Sequence, residues 1–540
     1  MRNLLFLAIV ITSCAIQSRA ADYGLVFPKL EFVIEQEMRE WNITGVSVAL
    51  VDDQEIIYSK GFGDAKRDSI FRAGSISKLF NALAVMQQVE AGNLDLDEPI
   101  PVEQLPINPF PDNPSVTLRH ILSHRSGLQR EAPVGGYLDE SQPGIRASVE
   151  SIKASGLVTR PGEKTRYSNI APSVAGHLVE QAAGKSFEEY QAEKLLKPLG
   201  MTNSSWTIAA TPKDRIIVSH MRVANGKGGW TRREAPLFDL GTIPAGNLFT
   251  TADDLARFAS ALINGGNALV TPESLHLMWT PQFTDGDTGF GLGFVMGKFN
   301  DRKTIGHSGA VYGHSTSFIV LPNEKLAVII LGNEDIANGR IHRIQKVALS
   351  LLLNAKFGEE MPSAPEPFAI GDLSPFAGEF ESQSYWAKLE VVDGNLVGDI
   401  SGQPTRFTPS GQLTFKADSR INDAANVRFE KDKVGLVTGF ELGGQRFIRV
   451  PKNPTPLPKE WRSVLGSYGL DFVPIAITER DGHLYAMTEN MVDYRLTPVN
   501  RNVCSLPPGM YVDEEVVFLP DDDGTIRFID FANMIFKRRD

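Results

Sequence analysis

Apolar positions between Phe27 and about Phe357 switch repeatedly between the period of a helix and the period of a strand. Leu30, Val33, Ile34, Met38 and Trp41 recur at three- and four-residue steps, which predicts an amphipathic helix. Gly45 to Val51 and Glu55 to Tyr58 then read as a strand pair turning at Asp52-Asp53. From Ser75 to Glu90 the helical period returns, with Ile76, Leu79, Phe80, Leu83, Met86 and Val89 as the buried stripe; Ala171 to Ala183 is another helical run. Farther on, Phe290 to Val295, Ser315 to Val320 and Ala327 to Leu331 are β-rich, and Ile341 to Leu353 is a helix. Strands at both ends with mostly helices between them suit one sheet assembled from distant parts of the chain, with a helical region beside it.

Gly358 to Pro367 is polar and proline-rich, the signature of a linker. An internal repeat follows. Phe376-x-Gly378-x-Phe380 matches Leu465-Gly466-x-Tyr468, and Asp393-Gly394-Asn395-Leu396 matches Asp481-Gly482-His483-Leu484, both at an offset of 88 residues. At an offset of 89, Arg406 to Pro409 matches Arg495 to Pro498, Val427-Arg428-Phe429 matches Val516-Val517-Phe518, Gly435 matches Gly524, and Phe447-Ile448-Arg449 matches Phe536-Lys537-Arg538. Both copies alternate short β-rich runs with Asp-Gly turns, which predicts two small antiparallel barrels or sandwiches in tandem. Two copies are too few for an open solenoid. Each copy is expected to bury its own core, so that a chain cut at about Met361 stays folded.

Composition narrows the class without choosing a function. The 540 residues are 42% hydrophobic and 22% charged, with 65 acidic against 54 basic side chains and a formal net charge of −11. That excludes a disordered or collagenous chain, and the absence of a long basic run argues against nucleic acid as a partner. Arg2, the apolar run Leu4 to Ile16, and the small residues Ser18 and Ala20 form a secretory signal cut after Ala20. Its apolar core of about 13 residues is shorter than the roughly 20 a spanning helix needs, and no integral membrane span is expected elsewhere. Ile11-Thr12-Ser13-Cys14 also resembles a lipoprotein box, which leaves lipidation at Cys14 open. Cys504 is expected to be a buried filler.

The chemistry concentrates at Ser75 and Lys78, an S-x-x-K pair opening an amphipathic helix. Three residues turn about 300° on an α-helix, so both side chains share one face. A serine hydroxyl needs a base to become a nucleophile, and a partly desolvated lysine can hold or be that base. S-x-x-K alone also fits a capping serine beside a solvated lysine. Two further elements change the weighting: Tyr167-Ser168-Asn169, after the Pro161-Gly162 turn, and His307-Ser308-Gly309, before the Ser315 strand.

These three elements, in this order, resemble the triad of the penicillin-recognising serine hydrolases, in the tyrosine variety seen in class C β-lactamases and serine D-peptidases. The resemblance runs from about Leu25 to Leu353. It takes in Ile121-Leu122-Ser123-His124-Arg125-Ser126-Gly127-Leu128 and Pro244 to Leu248 leading to Thr251-Ala252-Asp253-Asp254-Leu255. It implies that Ser75 is acylated, that Lys78 and Tyr167 move its proton, and that Asn169 holds the substrate amide. The oxyanion hole would use the backbone N–H groups of Ser75 and Ala310, and an adjacent Lys78 would lower the Tyr167 pKa. Gly309 is the residue that lets backbone approach substrate. Where most β-lactamases carry lysine, this chain has His307; Lys303-Thr304-Ile305 nearby lacks the final glycine. That departure leans away from efficient β-lactam hydrolysis and toward peptides, amides or esters. His120 and His124 stand four apart without the acid of a zinc motif, and Asp521 to Gly524 reads as a turn.

The expected architecture is multidomain. A signal peptide occupies residues 1–20, and an α/β (α+β) β-lactamase-like domain with an antiparallel sheet flanked by helices covers 25–357. A linker at 358–371 then leads to two small all-β, barrel-like repeats at 372–452 and 453–540, of the lipocalin-like kind appended to D-aminopeptidase-like relatives. The expected activity is that of an exported, secreted or periplasmic, serine hydrolase. It would use no cofactor and no metal and act on a small peptide, ester or β-lactam substrate. The rivals are a weak β-lactamase and a penicillin-binding sensor that acylates without turnover. The sequence leaves the oligomeric state open.

Overall fold

The computed structural model describes residues 21–224, 230–266, 269–284, 286–363 and 368–539. The predicted leader, Cys14 and part of the linker lie outside them. Seven antiparallel strands form the first sheet, in the order Glu55–Gly63, Gly45–Asp52, Leu326–Gly332, His314–Leu321, Arg302–Val311, Val295–Phe299 and Gly289–Phe290. The two ends of the domain meet where Val46 to Asp52 pair with Gly332 to Leu326. Both faces are covered, so Gly45–Asp52, Leu326–Gly332 and His314–Leu321 are buried along nearly their whole length rather than alternating. Val46, Val48 and Leu50 pack under the helices Val26–Trp41 and Asn338–Phe357, while Ala49 and Val51 face the core around Ser77–Glu90 and Ala252–Ile263.

The run Phe290 to Val295, read as one β-rich segment, is instead the turn of a hairpin between Gly289–Phe290 and Val295–Phe299. At Gly293 φ is +81°, and an added Cβ would sit 2.3 Å from Ala82 Cβ. The turn therefore seats on the helix that follows Ser75.

Each sequence repeat closes into an eight-stranded antiparallel barrel, and the repeated residues make the closure. Arg449, on the last strand of the first barrel, donates to Ala377 O (2.9 Å) and Val437 O (2.8 Å). Its guanidinium lies 4.6 Å from the Phe380 ring centroid. Arg538 does the same in the second barrel, reaching Leu465 O (2.7 Å) and lying over Tyr468. The guanidinium occupies the space a side chain at Gly378 or Gly466 would fill. The G-x-aromatic and F-x-R matches are thus the two halves of one latch.

The barrels differ in how they are supported. Phe376, Phe380, Phe407, Phe415, Phe429, Phe440 and Phe447 fill the first with its own side chains. The second does not bury its core alone, contrary to the sequence expectation. Its apolar cluster continues into Leu138, Phe238, Leu240 and Tyr312 of the N-terminal α/β domain, with Phe472 5.3 Å from Tyr312 and 5.9 Å from Phe238, ring to ring. Nothing in the period of either strand set signals this, because the contact joins segments more than 150 residues apart. Among the described residues no helix is long and apolar enough to cross a membrane.

Candidate active site

The three elements singled out by sequence converge. A 3₁₀ turn, Gly74–Ile76, carries Ser75 into the helix Ser77–Glu90. Gly74 holds φ +57°, and a Cβ there would lie 2.8 Å from Ala310 N; a Cβ on Gly309 would lie 2.0 Å from Ala73 O. Only glycine allows the third-motif strand to press so closely on the turn bearing Ser75. Thr316 Oγ1 fastens the same turn by donating to Ala73 O at 2.9 Å.

Lys78 Nζ lies 2.9 Å from each of Ser75 Oγ, Asn169 Oδ1 and Ala245 O, and Tyr167 Oη donates to Ser75 Oγ at 2.8 Å. Burial drives the Lys78 pKa well below that of an ordinary amine; the Glu131 carboxylate opposes this and Arg130 adds to it. A neutral amine satisfies this geometry completely. Its two N–H bonds meet Asn169 Oδ1 and Ala245 O, which only accept, and its lone pair faces the Ser75 hydroxyl. Tyr167 moves in the direction opposite to the sequence expectation: burial pushes it up to about 12, so it stays a phenol near neutral pH. Desolvation outweighs the Ser75 hydrogen bond and the Arg130 guanidinium, both of which lower it.

His307 is on the strand Arg302–Val311, with its Nδ1 2.5 Å from Ser308 O. A carbonyl only accepts, so Nδ1 carries the hydrogen; Nε2 is then an acceptor, buried in the pocket wall without a partner. Burial, with Lys78 nearby, lowers its pKa to about 4. The ring is therefore neutral at pH 7 and suited to receiving an N–H or O–H rather than to binding a carboxylate. Lys303 points elsewhere, donating to Trp279 O at 2.7 Å.

Two consequences are measurable. His307→Lys restores a cation, and should raise the ratio of kcat/KM for a cephalosporin to that for a neutral ester; an unchanged ratio removes position 307 from selectivity. Buried His314, lowered to about 3, shares the acid sensitivity of His307. In both, the fold favours the neutral ring while the unfolded chain takes the proton first, so stability is lost as pH falls from about 6.5 toward 4. Thermal melts should drop across that window, with a shallower fall for His314→Gln.

The secondary blocks also have places. His124 stacks on Tyr167 at 4.2 Å and its Nδ1 accepts from Ser168 N; His120 stacks on Phe283, and among the described residues no group of metal-ligating side chains forms. Ala245 supplies the carbonyl for Lys78, and Thr251 caps the helix Ala252–Ile263. Asp521 to Gly524 is a turn tied to Arg527, and Cys504 is buried with its thiol pushed up to about 12.

Sequence reasoning missed a ring of charged residues. Glu131 Oε1 accepts from Asn169 Nδ2 at 2.5 Å, and the Arg130 guanidinium lies 5.5 Å from the centroids of both Tyr167 and Tyr511. Glu489, from the second barrel, accepts from Tyr511 Oη at 3.0 Å through one oxygen while the other has no partner. Arg166 and Glu514, both nearly inaccessible, form a buried ion pair, and Glu514 Oε1 also accepts from Arg130 N at 3.0 Å. Arg130 O in turn receives Asn169 N at 2.7 Å. The second barrel thereby braces the segment that carries Tyr167 and Asn169. One residue, Gln129, separates Arg130 and Glu131 from the Ile121-to-Leu128 block, the one signal that pointed at them; Glu489 and Glu514 had none.

The cleft so formed has a volume of about 410 Å³ and is lined by all three chain regions, among them Ser75, Tyr167, His307, Ile421 and Glu489. A β-lactamase family model matches residues 30–351. Penicillin-binding protein 4 of Amycolatopsis lactamdurans is 26% identical over 369 residues, covering 64% of this chain and 94% of its own. The octameric penicillin-binding protein homologue from Pyrococcus abyssi aligns with a TM-score of 0.55 at 25% identity, over 78% of this chain and 100% of that one. A D-stereospecific amidohydrolase from Streptomyces sp. shares the fold at a TM-score of 0.51 and 22% identity, over 63% of this chain and 100% of its own.

Proposed function

The chain belongs to the β-lactamase family, and we propose that within it this protein is an exported serine hydrolase that forms an acyl-enzyme on amide, peptide or ester substrates, D-amino-acid derivatives foremost. The observation that carries this reading is the convergence of Lys78 Nζ and Tyr167 Oη on Ser75 Oγ, at 2.9 and 2.8 Å. The Ser75 proton passes to neutral Lys78 as Oγ attacks the carbonyl carbon. The oxyanion is met by the N–H groups of Ser75 and Ala310. Tyr167 then gives its proton to the departing nitrogen or oxygen and recovers one from Lys78, so the site returns to its starting charge after water releases the acyl group. Asn169 orients the substrate amide.

The unpartnered oxygen of Glu489 favours substrates that bring an ammonium or an N–H to the cleft, and the acceptor Nε2 of His307 works in the same sense. The amidohydrolase from Streptomyces, whose fold this domain shares, is D-stereospecific. The similarity to Penicillin-binding protein 4 supports a second reading, acylation by β-lactams with little turnover. A panel of D-alanyl peptides, p-nitrophenyl esters and a chromogenic cephalosporin separates them: turnover of the first two with a stalled cephalosporin adduct is expected. Failure of both amides and esters, with stoichiometric cephalosporin labelling, would establish the second reading instead. Tyr167→Phe keeps the ring and removes the proton donor, so folding should survive while single-turnover acylation slows by roughly 10². Unchanged acylation would take Tyr167 out of the proton path.

A further inference from the structure

One surface of the cleft is built with more care than a wall requires. The loop between strands Thr414–Asp418 and Ala425–Lys431 of the first barrel reaches the catalytic domain and is fastened on both sides of its tip. Arg420, almost wholly buried, donates to Asp335 O (2.9 Å) and Ile336 O (3.2 Å) and also reaches Trp41 O. Arg340 binds Asp418 (3.1 Å) and Asn422 O, and Lys346 binds Asp423 at 2.9 Å. Gly339 N donates to Arg420 O at 2.9 Å, and a Cβ on Gly339 would collide with the loop, 2.7 Å from Asn422 N. Between these anchors Ile421 remains 39% exposed. A fully pinned loop that leaves an isoleucine at its tip in the cleft is positioning an apolar surface.

Ile421 also borders a second cavity. A space of about 260 Å³ opens at the mouth of the first barrel, walled by Tyr385, Ile400, Leu442, Phe447, Val492 and Tyr494, and Ile421 and Asn490 belong to its lining and to that of the catalytic cleft alike. Beside this shared wall Gln403 donates to Met491 O at 2.9 Å, and Asp493 N donates to Ser401 O at 2.9 Å. These bonds tie the two barrels together where the cavity and the cleft meet. The cavity is aromatic and aliphatic on most sides, large enough for one aromatic ring or a medium alkyl chain and far too small for a macromolecule.

We propose that the mouth of the first barrel is a second substrate subsite, entered from the Ser75 cleft past Ile421 and Asn490, which takes an apolar group the substrate carries beyond its scissile bond. The proposal rests on the reading of Ser75 as the acylated residue of a hydrolase. That apolar group has two sources, an acyl chain or a side chain of an extended peptide. Its burial in the cavity would add transition-state binding that short substrates lack.

The test compares two substrate pairs, p-nitrophenyl octanoate against acetate and D-Ala-Gly-Phe against D-Ala-Gly. Gln445→Trp fills the cavity from a lining position outside the barrel's core, and Ile421→Trp narrows the entrance. In either variant the long-to-short ratio of kcat/KM should fall about tenfold, the scale of a lost apolar contact in a pocket. A fall in the ester pair alone identifies an acyl chain, and a fall in the peptide pair alone identifies a side chain. Ratios within twofold of wild type in both pairs and both variants would overturn the subsite. Should the wild-type protein turn over neither pair, the hydrolase reading fails by itself. Calorimetric titration of sodium octanoate into Ser75→Ala protein, with and without Gln445→Trp, then decides the cavity: about tenfold weaker binding with tryptophan supports it, and equal or no binding in both overturns it.

Discussion

Ser75→Ala is expected to abolish labelling by a fluorescent penicillin or a fluorophosphonate and to lower turnover of any accepted substrate by roughly 10⁴-fold or more. The size follows from the geometry. Lys78 Nζ and Tyr167 Oη both converge on Ser75 Oγ, at 2.9 and 2.8 Å, so removing one oxygen deprives the base of its proton and the proton donor of its acceptor together. Folding should be untouched, since Ser75 lies in a short 3₁₀ turn held by Ser77 Oγ donating to Gly74 O at 2.7 Å and by Thr316 rather than by its own side chain. A melt matching wild type with no label is the expected pair of results. Labelling at the wild-type rate would move the nucleophile elsewhere.

The second large effect is predicted far from Ser75. Glu514→Ala leaves the Arg166 guanidinium buried with only Asp513, 4.0 Å away, as a counter-charge, and leaves Arg130 N without its acceptor. Breaking a buried pair by deleting one partner costs about 3–5 kcal/mol. The loss should also reach catalysis, because Arg130 O and Arg166 locate the segment bearing Tyr167 and Asn169. Expected are a lowered melting temperature and a fall in kcat with KM little altered. Glu514→Gln, which keeps an acceptor for Arg130 N, should recover much of the kcat. A merely structural Glu514 would lower the melting temperature with kcat per folded molecule unchanged. Deleting both barrels by a cut at about Met361 goes further, exposing Leu138, Phe238 and Tyr312 and removing Glu514 altogether. Such a chain should aggregate or lose its cooperative melt. A soluble truncated protein with the full-length rate on a short ester would show that the domain is autonomous after all.

The apolar periods located the sheet and its helices because both are local signals, and the three motifs that converge at Ser75 were legible because their spacing is local too. What remained hidden was contact between regions. Glu514 sits in an ordinary loop before a strand, and no property of its neighbours marks it as the partner of a residue 348 positions earlier. The Tyr167 pKa failed for a related reason: Lys78 could be placed beside the phenol from sequence, but the burial that raises the phenol depends on the whole cleft. The repeat, by contrast, was read from matched residues whose purpose became plain only in three dimensions, when Gly378 and Gly466 proved to be seats for Arg449 and Arg538.

The distance along the chain between Arg166 and Glu514 also sets a clock. At about 5–20 residues per second, the ribosome adds the intervening 348 residues in roughly 20–70 s. Through that interval Ser75 and Lys78 already exist, yet the segment bearing Tyr167 lacks the brace that locates it. On the proposed reading the site is complete only once the second barrel has been made, and a chain interrupted before Glu514 carries Ser75 and Lys78 without that brace.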